Sequence, residues 1–183
     1  MKVRGEARWP YLLRDLKIEQ ADQVWCTDIT YLPMRKGKFY LCAIMDWHTR
    51  FVFPWRISNV MDTSFSLEAL DEAVMKYGKP MIINTDQGSQ YTSDDWVNYL
   101  MEKEIQISMD GKGRAIDNVM IERLWRSNKY EYLYLRYPGT GEELQKGTAD
   151  WIDYYNHRRF HTSINCKTPI AFYRESESVR RAA

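Results

Sequence analysis

At 183 residues and 44% hydrophobic content, the chain is long enough for one domain with a full core, and no run of ~18 apolar residues marks a membrane span. Cys26, Cys42 and Cys166 lack CxxC spacing, which argues against a disulfide framework or a zinc site. The N-terminal Met1-Lys2-Val3-Arg4-Gly5-Glu6 lacks the apolar stretch of a signal peptide, and the sparse cysteines point to a reducing cytosol. The formal net charge is only +1, yet Asn59–Glu104 carries nine acidic against three basic residues, and Gly111–Ala183 thirteen basic against nine acidic. That asymmetry suits one face to phosphates and leaves open an ordinary solvated surface.

Residues 1–22 read as an irregular arm anchored by Leu12, Leu13 and Leu16. Gln23–Leu32 is β-branched and aromatic, a strand with Asp28 at its middle. A carboxylate there faces solvent by alternation with Thr30, or is paired or holds a cation, because burying it alone is costly. Phe39–Asp46 and Phe51–Ile57 are two further strands joined by short turns, which predicts an antiparallel meander. Asp46 and Arg50 at the second turn read as a structural pair, and His48 as an exposed turn residue.

Asp62-Thr63-Ser64 signals a helix start, and Gly78 ends that helix. Met81-Ile82-Ile83 is then a short buried strand, parallel to a neighbour after the helical crossover. It runs into Asn84-Thr85-Asp86-Gln87-Gly88-Ser89-Gln90-Tyr91. Asp86 stands where the strand stops, the place where open α/β sheets present groups to ligands; the alternative is an Asp that caps the turn. Ser93 caps a second helix, and Glu104–Met109 alternates as an edge strand. Asp110–Ala115 is a basic, glycine-bearing loop without the GxxxxGK[ST] spacing of a nucleotide-binding loop.

Asp117 is expected to cap a long helix through Glu131, on which Glu122, Arg126 and Lys129 line one face. Glu122 and Arg126 form either an everyday surface ion pair or part of a charged cleft. Glu142–Tyr155 is a last long helix, followed by the basic, aromatic Tyr154–His161 and a short helix from Thr168 that frays beyond Glu175. Its histidines read as structural or as phosphate ligands.

The order is β-β-β-α-β-α-β-α-α, with acids at Asp28, Asp86 and Glu122, thirty-five residues lying between the last two. Three strings, Trp25-Cys26-Thr27-Asp28-Ile29-Thr30-Tyr31, Thr85-Asp86-Gln87-Gly88-Ser89-Gln90-Tyr91 and Asp117-Asn118-Val119-Met120-Ile121-Glu122-Arg123, together with Lys129 and Tyr155-Asn156-His157-Arg158-Arg159, resemble the catalytic core of insertion-sequence transposases in the retroviral-integrase superfamily. The resemblance covers about Leu12–Tyr173. It implies a ribonuclease H-like α/β fold, a five-stranded mixed sheet flanked by helices, divided as arm (1–22), catalytic core (23–136) and a helical extension of the same domain (137–183).

The resemblance further implies a Mg²⁺-dependent polynucleotidyl transferase, with Asp28, Asp86 and Glu122 holding two Mg²⁺ (or Mn²⁺) ions that serve strand cleavage and transfer. Gln87, Lys112, Arg114, Arg126, Lys129 and Arg158 become the expected DNA contacts. Expected partners are transposon-end and target DNA, a helix-turn-helix domain or subunit and a second copy of the chain, at the nucleoid and not at a membrane. Phe160 stands where the family pattern usually has Pro, Asn165-Cys166 where it has glycines, and Asn128 where Leu is commoner. These departures lie away from the acids and bear on packing. Rival readings are a non-catalytic DNA-binding or assembly subunit, a structure-selective nuclease on the same fold, and a carboxylate-pair glycosidase, which the basic C-terminal part disfavours.

Overall fold

The computed structural model describes residues 9–35, 37–111 and 118–182; Lys112, Arg114 and the expected cap Asp117 lie outside them. β1 (Val24–Pro33), β2 (Lys38–Asp46) and β3 (Val52–Ser58) form the antiparallel meander. Pro54, which cannot donate to a ladder, sits in β3, on the sheet edge. α1 (Ser64–Tyr77) crosses over to β4 (Ile82–Thr85), parallel to β1, and α2 (Asp94–Glu102) crosses to β5 (Gln106–Met109), parallel to β4. The order is β3-β2-β1-β4-β5. β1 and β4 are thus central, which is why Val24–Thr27 and Ile82–Thr85 are buried throughout rather than alternating.

Each face of the sheet carries its own core. Trp25, Ile44, Phe53 and Ile83 pack against α1, α2 and Tyr173 of α6 (Pro169–Ala182). Cys26, Leu32, Ala43 and Val52 pack against α3 (Val119–Asn128) and α5 (Gly141–His157). Asp28 shares the parity of Cys26 and Leu32 along β1 and so faces α3. Among the described residues no helix is long and apolar enough to cross a membrane.

Local chemistry fixes the helix starts. Ser93 accepts from the Trp96 amide, and Thr140 from the Glu143 amide while Glu143 Oε2 reaches back to the Gly139 amide at 2.7 Å, a capping-box arrangement. Of the three leucines expected to anchor the arm, only Leu13 is buried; Leu12 and Leu16 are exposed. The Leu12 amide is held instead by Ser108 Oγ at 3.0 Å. Asp46 is not paired with the Arg50 guanidinium. Its buried carboxylate accepts from the amides of Thr49 and Asp22 and from the Thr49 hydroxyl, while Arg50 donates to the Trp47 carbonyl. The terminal helix continues to Ala182 rather than fraying at Glu175.

The helix after β5 is not one regular rod. α3 passes into a π-helical turn over Lys129–Leu133 and then a single α turn, α4 (Tyr134–Arg136); Tyr137 closes it with φ +47°.

The departures from the family pattern have physical counterparts. Asn128 is 1% exposed, and neither its amide nitrogen nor its oxygen has a hydrogen-bond partner among the described residues. Asn165 and Cys166 both adopt positive φ, +56° and +54°, a region glycine enters freely and a Cβ penalises. Asn128→Leu is expected to raise stability by about 1–3 kcal/mol by relieving an unpaired buried amide, and Cys166→Gly by about 1 kcal/mol. Urea unfolding of each variant beside the parent checks both, and a fall in midpoint for either contradicts its account.

Candidate active site

Three elements deliver the acids. Asp28 lies within β1 and is half-buried. Asp86 follows the last residue of β4 and is exposed, and Glu122 lies exposed in the first turn of α3. Trp125, one helical turn beyond Glu122, donates its indole Nε1 hydrogen to Asp28 Oδ2 at 2.9 Å. A buried indole needs an acceptor, and here that acceptor is the carboxylate in the strand. The Asn118 amide nitrogen reaches the Thr27 carbonyl at 3.4 Å, so the start of α3 is tied to β1 beside Asp28.

Asp86 fulfils both sequence readings in part. Its Oδ1 accepts from the Gly88 amide at 2.9 Å, an Asx turn. Among the described residues its second oxygen takes no hydrogen bond from the chain. An added Cβ at Gly88 would meet that same Oδ1 at 2.9 Å and Gln90 Oε1 at 3.1 Å, so a side chain there would displace the Asp86 carboxylate from its turn. The loop is braced beneath: Gln87 Nε2 donates to the Asp110 carbonyl at 2.6 Å, Asn84 Nδ2 to Asp110 Oδ1 at 2.8 Å and Ser108 Oγ to Asn84 Oδ1 at 2.8 Å. One of the two Gln87 amide hydrogens is thus used within its own chain.

Electrostatics links the three elements. Burial raises the Asp28 carboxyl to about 6; the Trp125 bond opposes this, while the negative fields of Asp86 and Glu122 push it further up. Burial also depresses the Lys129 ammonium, which Asp28 partly supports. Lys129 thus lies in the field of Asp28, and no ion pair joins Glu122 to Arg126 among the described residues. Nor, among those residues, does any group of three or more His, Cys, Asp and Glu stand as a ready-made metal cluster. Three like charges repel one another when no cation lies between them, and the Asp86 carboxylate is turned partly into its own loop.

Of the expected DNA contacts, Arg126 is exposed, its guanidinium 6.0 Å from the Tyr130 ring centre, and Lys129 is half-buried at the head of the π turn. Arg158 is exposed at the C-terminal end of α5, whereas its neighbour Arg159 turns back to Glu131, Nη2 to Oε1 at 2.7 Å. Sequence reasoning passed over Trp125, Arg123 and Arg159. A tryptophan three positions after the candidate glutamate was the available signal for the first.

The sequence profile described as integrase core domain matches residues 18–115, and a second profile of the same description matches residues 103–169. The chain therefore belongs to the integrase core domain family, and its mixed sheet with helices on both faces is the ribonuclease H-like fold. Within that family it falls among the transposases of insertion sequences. It is 32% identical over 167 residues to the transposase for insertion sequence element IS904 of Lactococcus lactis subsp. lactis, covering 89% of this chain and 66% of that protein. It is 31% identical to the transposase for IS629 of Shigella sonnei, covering 80% of this chain and 50% of that protein. A transposase-like protein of Haemophilus influenzae is 30% identical, with 90% of this chain and 77% of that protein covered.

The chain thus spans half to about two thirds of the first two relatives. Among solved structures, the HTLV-2 integrase catalytic core in complex with magnesium superposes with a TM-score of 0.66 at 19% identity, covering 84% of this chain and 97% of that one. The BIV integrase core gives 0.69 at 17% identity, covering 87% and 99%.

The raised carboxyl of Asp28 sets a stability test. Its folded value, about 6, lies above the unfolded one, 3.8, so its ionisation opposes folding. That penalty is absent below about pH 4, grows as pH rises through 6 and is full above it. Asp28→Asn keeps an acceptor for Trp125 and removes the charge. In EDTA it is expected to stabilise the chain at pH 7.5 by about 1–3 kcal/mol, a few degrees in Tm, and to leave Tm unchanged near pH 4. Thermal melts at both pH values check this, and an equal shift at each would contradict it.

Proposed function

We propose that this chain is the catalytic core of an insertion-sequence transposase that cleaves DNA strands and transfers them to a target. The single observation that carries the reading is the bond from Trp125, one turn beyond Glu122, to Asp28, the carboxyl on which Asp86 and Glu122 both act, in a chain whose relatives are transposases. A glycosidase would need two carboxylates in defined opposition, and nothing in the family supports one.

The donor set fits a divalent ion. All three groups offer hard oxygen ligands, and Mg²⁺ prefers a few carboxylates completed by phosphate and water, with Mn²⁺ as a substitute. Asp28, Asp86 and Glu122 are the residues that would hold it. Two such ions, when bound, stabilise the attacking and leaving oxygens of an in-line displacement at phosphorus. The chain's own residues contribute position and charge. Trp125 orients the Asp28 carboxylate and favours its ionised form. The Gly88 amide holds Asp86, and the Asn84–Asp110–Ser108 network fixes the loop that carries it. Lys129 and Arg126 supply positive charge for phosphates beside the cut.

End recognition belongs in this reading to a helix-turn-helix domain or subunit. Handling two DNA ends calls for at least a dimer, and residues 137–183 serve as an extension of the catalytic domain.

Labelled duplex DNA incubated with Mg²⁺ and either the parent or Asp86→Asn chain tests the reading. Nicking and joining by the variant are expected to fall by roughly 10³-fold, the loss of several kcal/mol of charge stabilisation. Equal activity in both would overturn the metal mechanism. Metal-independent DNA binding without any turnover by the parent would favour the assembly-subunit reading instead.

A further inference from the structure

A pocket of about 560 Å³ lies on the side of α3 turned away from Glu122 and Lys129. Met120, Arg123 and Ser127 of α3 form one wall, Arg50 of the β2–β3 turn another, and Tyr155 with the Arg159–Ser163 turn the third, while Arg126 stands at its edge. Its volume falls in the range that holds a nucleotide-sized ligand.

The charge in this pocket is unbalanced. Among the described residues, Arg159 is the one of its four arginines with a carboxylate partner, Glu131. Arg50 is half-buried, donates only to the Trp47 carbonyl and feels the opposing charge of Arg123; the buried Asp46 carboxylate acts on it from a distance. Among the described residues neither Arg123 nor Arg126 has an ion-pair partner. Burial and the fields of Arg159 and Arg50 push the His161 imidazole down to about 4, so it is neutral at pH 7 and adds no charge of its own. The Arg159 Nη1 faces the His161 ring nitrogens at 3.3 and 3.4 Å.

Arg50 and Arg123, which have no carboxylate partner among the described residues, line one half-buried hollow with Arg159, a setting that favours an anion with several acceptor oxygens. At the rim Phe160 is 71% exposed. An aromatic ring left in solvent beside clustered arginines has the makings of a platform for an unpaired base.

We propose that the pocket is a second DNA contact, separate from the acidic centre, which takes a backbone phosphate of a single-stranded segment among Arg50, Arg123 and Arg159 while the adjoining base stacks on Phe160. Arg126, at the edge between the acidic side of α3 and the pocket side, connects the two contacts. A strand crossing α3 would be held on both sides of the helix. The inference rests on the proposed function for its ligand class, and its test is arranged to fail separately.

The full chain, in EDTA, is titrated into a fluorescein-labelled oligothymidylate and, in a second arm, into the same length of duplex, following anisotropy across a range of NaCl concentrations. Arg123→Ala is expected to weaken single-strand binding and lower the slope of log K against log salt by about 0.7, the loss of one phosphate contact. Phe160→Ala is expected to weaken it about tenfold, the cost of one lost base–aromatic stack, with the slope unchanged. Imidazole ¹⁵N spectra of the parent are expected to show the His161 titration midpoint moving upward when the oligothymidylate binds. Asp86→Asn is expected to retain binding here whatever its effect on joining.

Parent-like binding and slope for both Arg123→Ala and Phe160→Ala would overturn the pocket, as would a stationary His161 midpoint. A duplex preference with Phe160→Ala silent would overturn the stacking contact. None of these outcomes alters the catalytic reading, which stands or falls on the joining activity of Asp86→Asn.

Discussion

One hydrogen bond joins the strand and the helix on which the candidate site depends. The Trp125 indole reaches the Asp28 carboxylate, 97 positions earlier in the chain, and so sets α3 against the central strand at the point where chemistry is expected. The bond answers two needs at once. A large ring buried under the sheet requires an acceptor for its one donor. A carboxylate in a central strand requires a donor that makes its charge tolerable. Had the ring been phenylalanine, the packing could survive, but the acid would lose the larger of the two neutral hydrogen bonds, from Trp125 and the Ile29 amide, that oppose its rise toward the protonated form.

The opposite wall of the site is built from neutral groups. Asn84 and Ser108, fully buried on adjacent parallel strands, bond to each other and carry Asp110 with them. Buried polar networks are rigid when fully satisfied, and this one lies directly beneath the loop that presents Asp86. The same Ser108 hydroxyl receives the Leu12 amide, so the N-terminal arm helps hold the floor of the loop. The acid is thus exposed and adjustable while its support is fixed.

Much of this architecture could be read from residue patterns. The meander, the two crossovers, the edge position of β5 and the placement of Asp86 at a strand end follow from periodicity and punctuation in the chain. Ser93 declared itself as a cap. The partners of the acids were harder to see, because Trp125 and Asp28 share no local pattern. Asp46 and Arg50 misled for a related reason: adjacency at a turn suggested an ion pair, yet the buried carboxylate found three donors in Thr49 and Asp22 without it. Leu12 and Leu16 failed as anchors because an irregular arm has no fixed period from which burial can be inferred. The grouping of Arg50, Arg123 and Arg159 depended on three distant segments meeting, which no spacing rule anticipates.

The widened turn at Lys129–Leu133 solves a problem of phase. A regular α-helix completes roughly three turns in eleven residues, so an unbroken α3 would bring Leu133 round beneath Glu122, toward water. Leu133 is instead 1% exposed and Tyr132 7%. Letting each residue in the wide turn advance through a smaller angle swings Leu133 back under α5, beside Tyr132, while Lys129, at the start of the turn, keeps its bearing toward Asp28. The helix thereby serves two masters, with its first half aligned to the acids and its second half to the core. A single deletion within 129–133 would restore a uniform screw, but it would give up the inward turn of one of those two side chains.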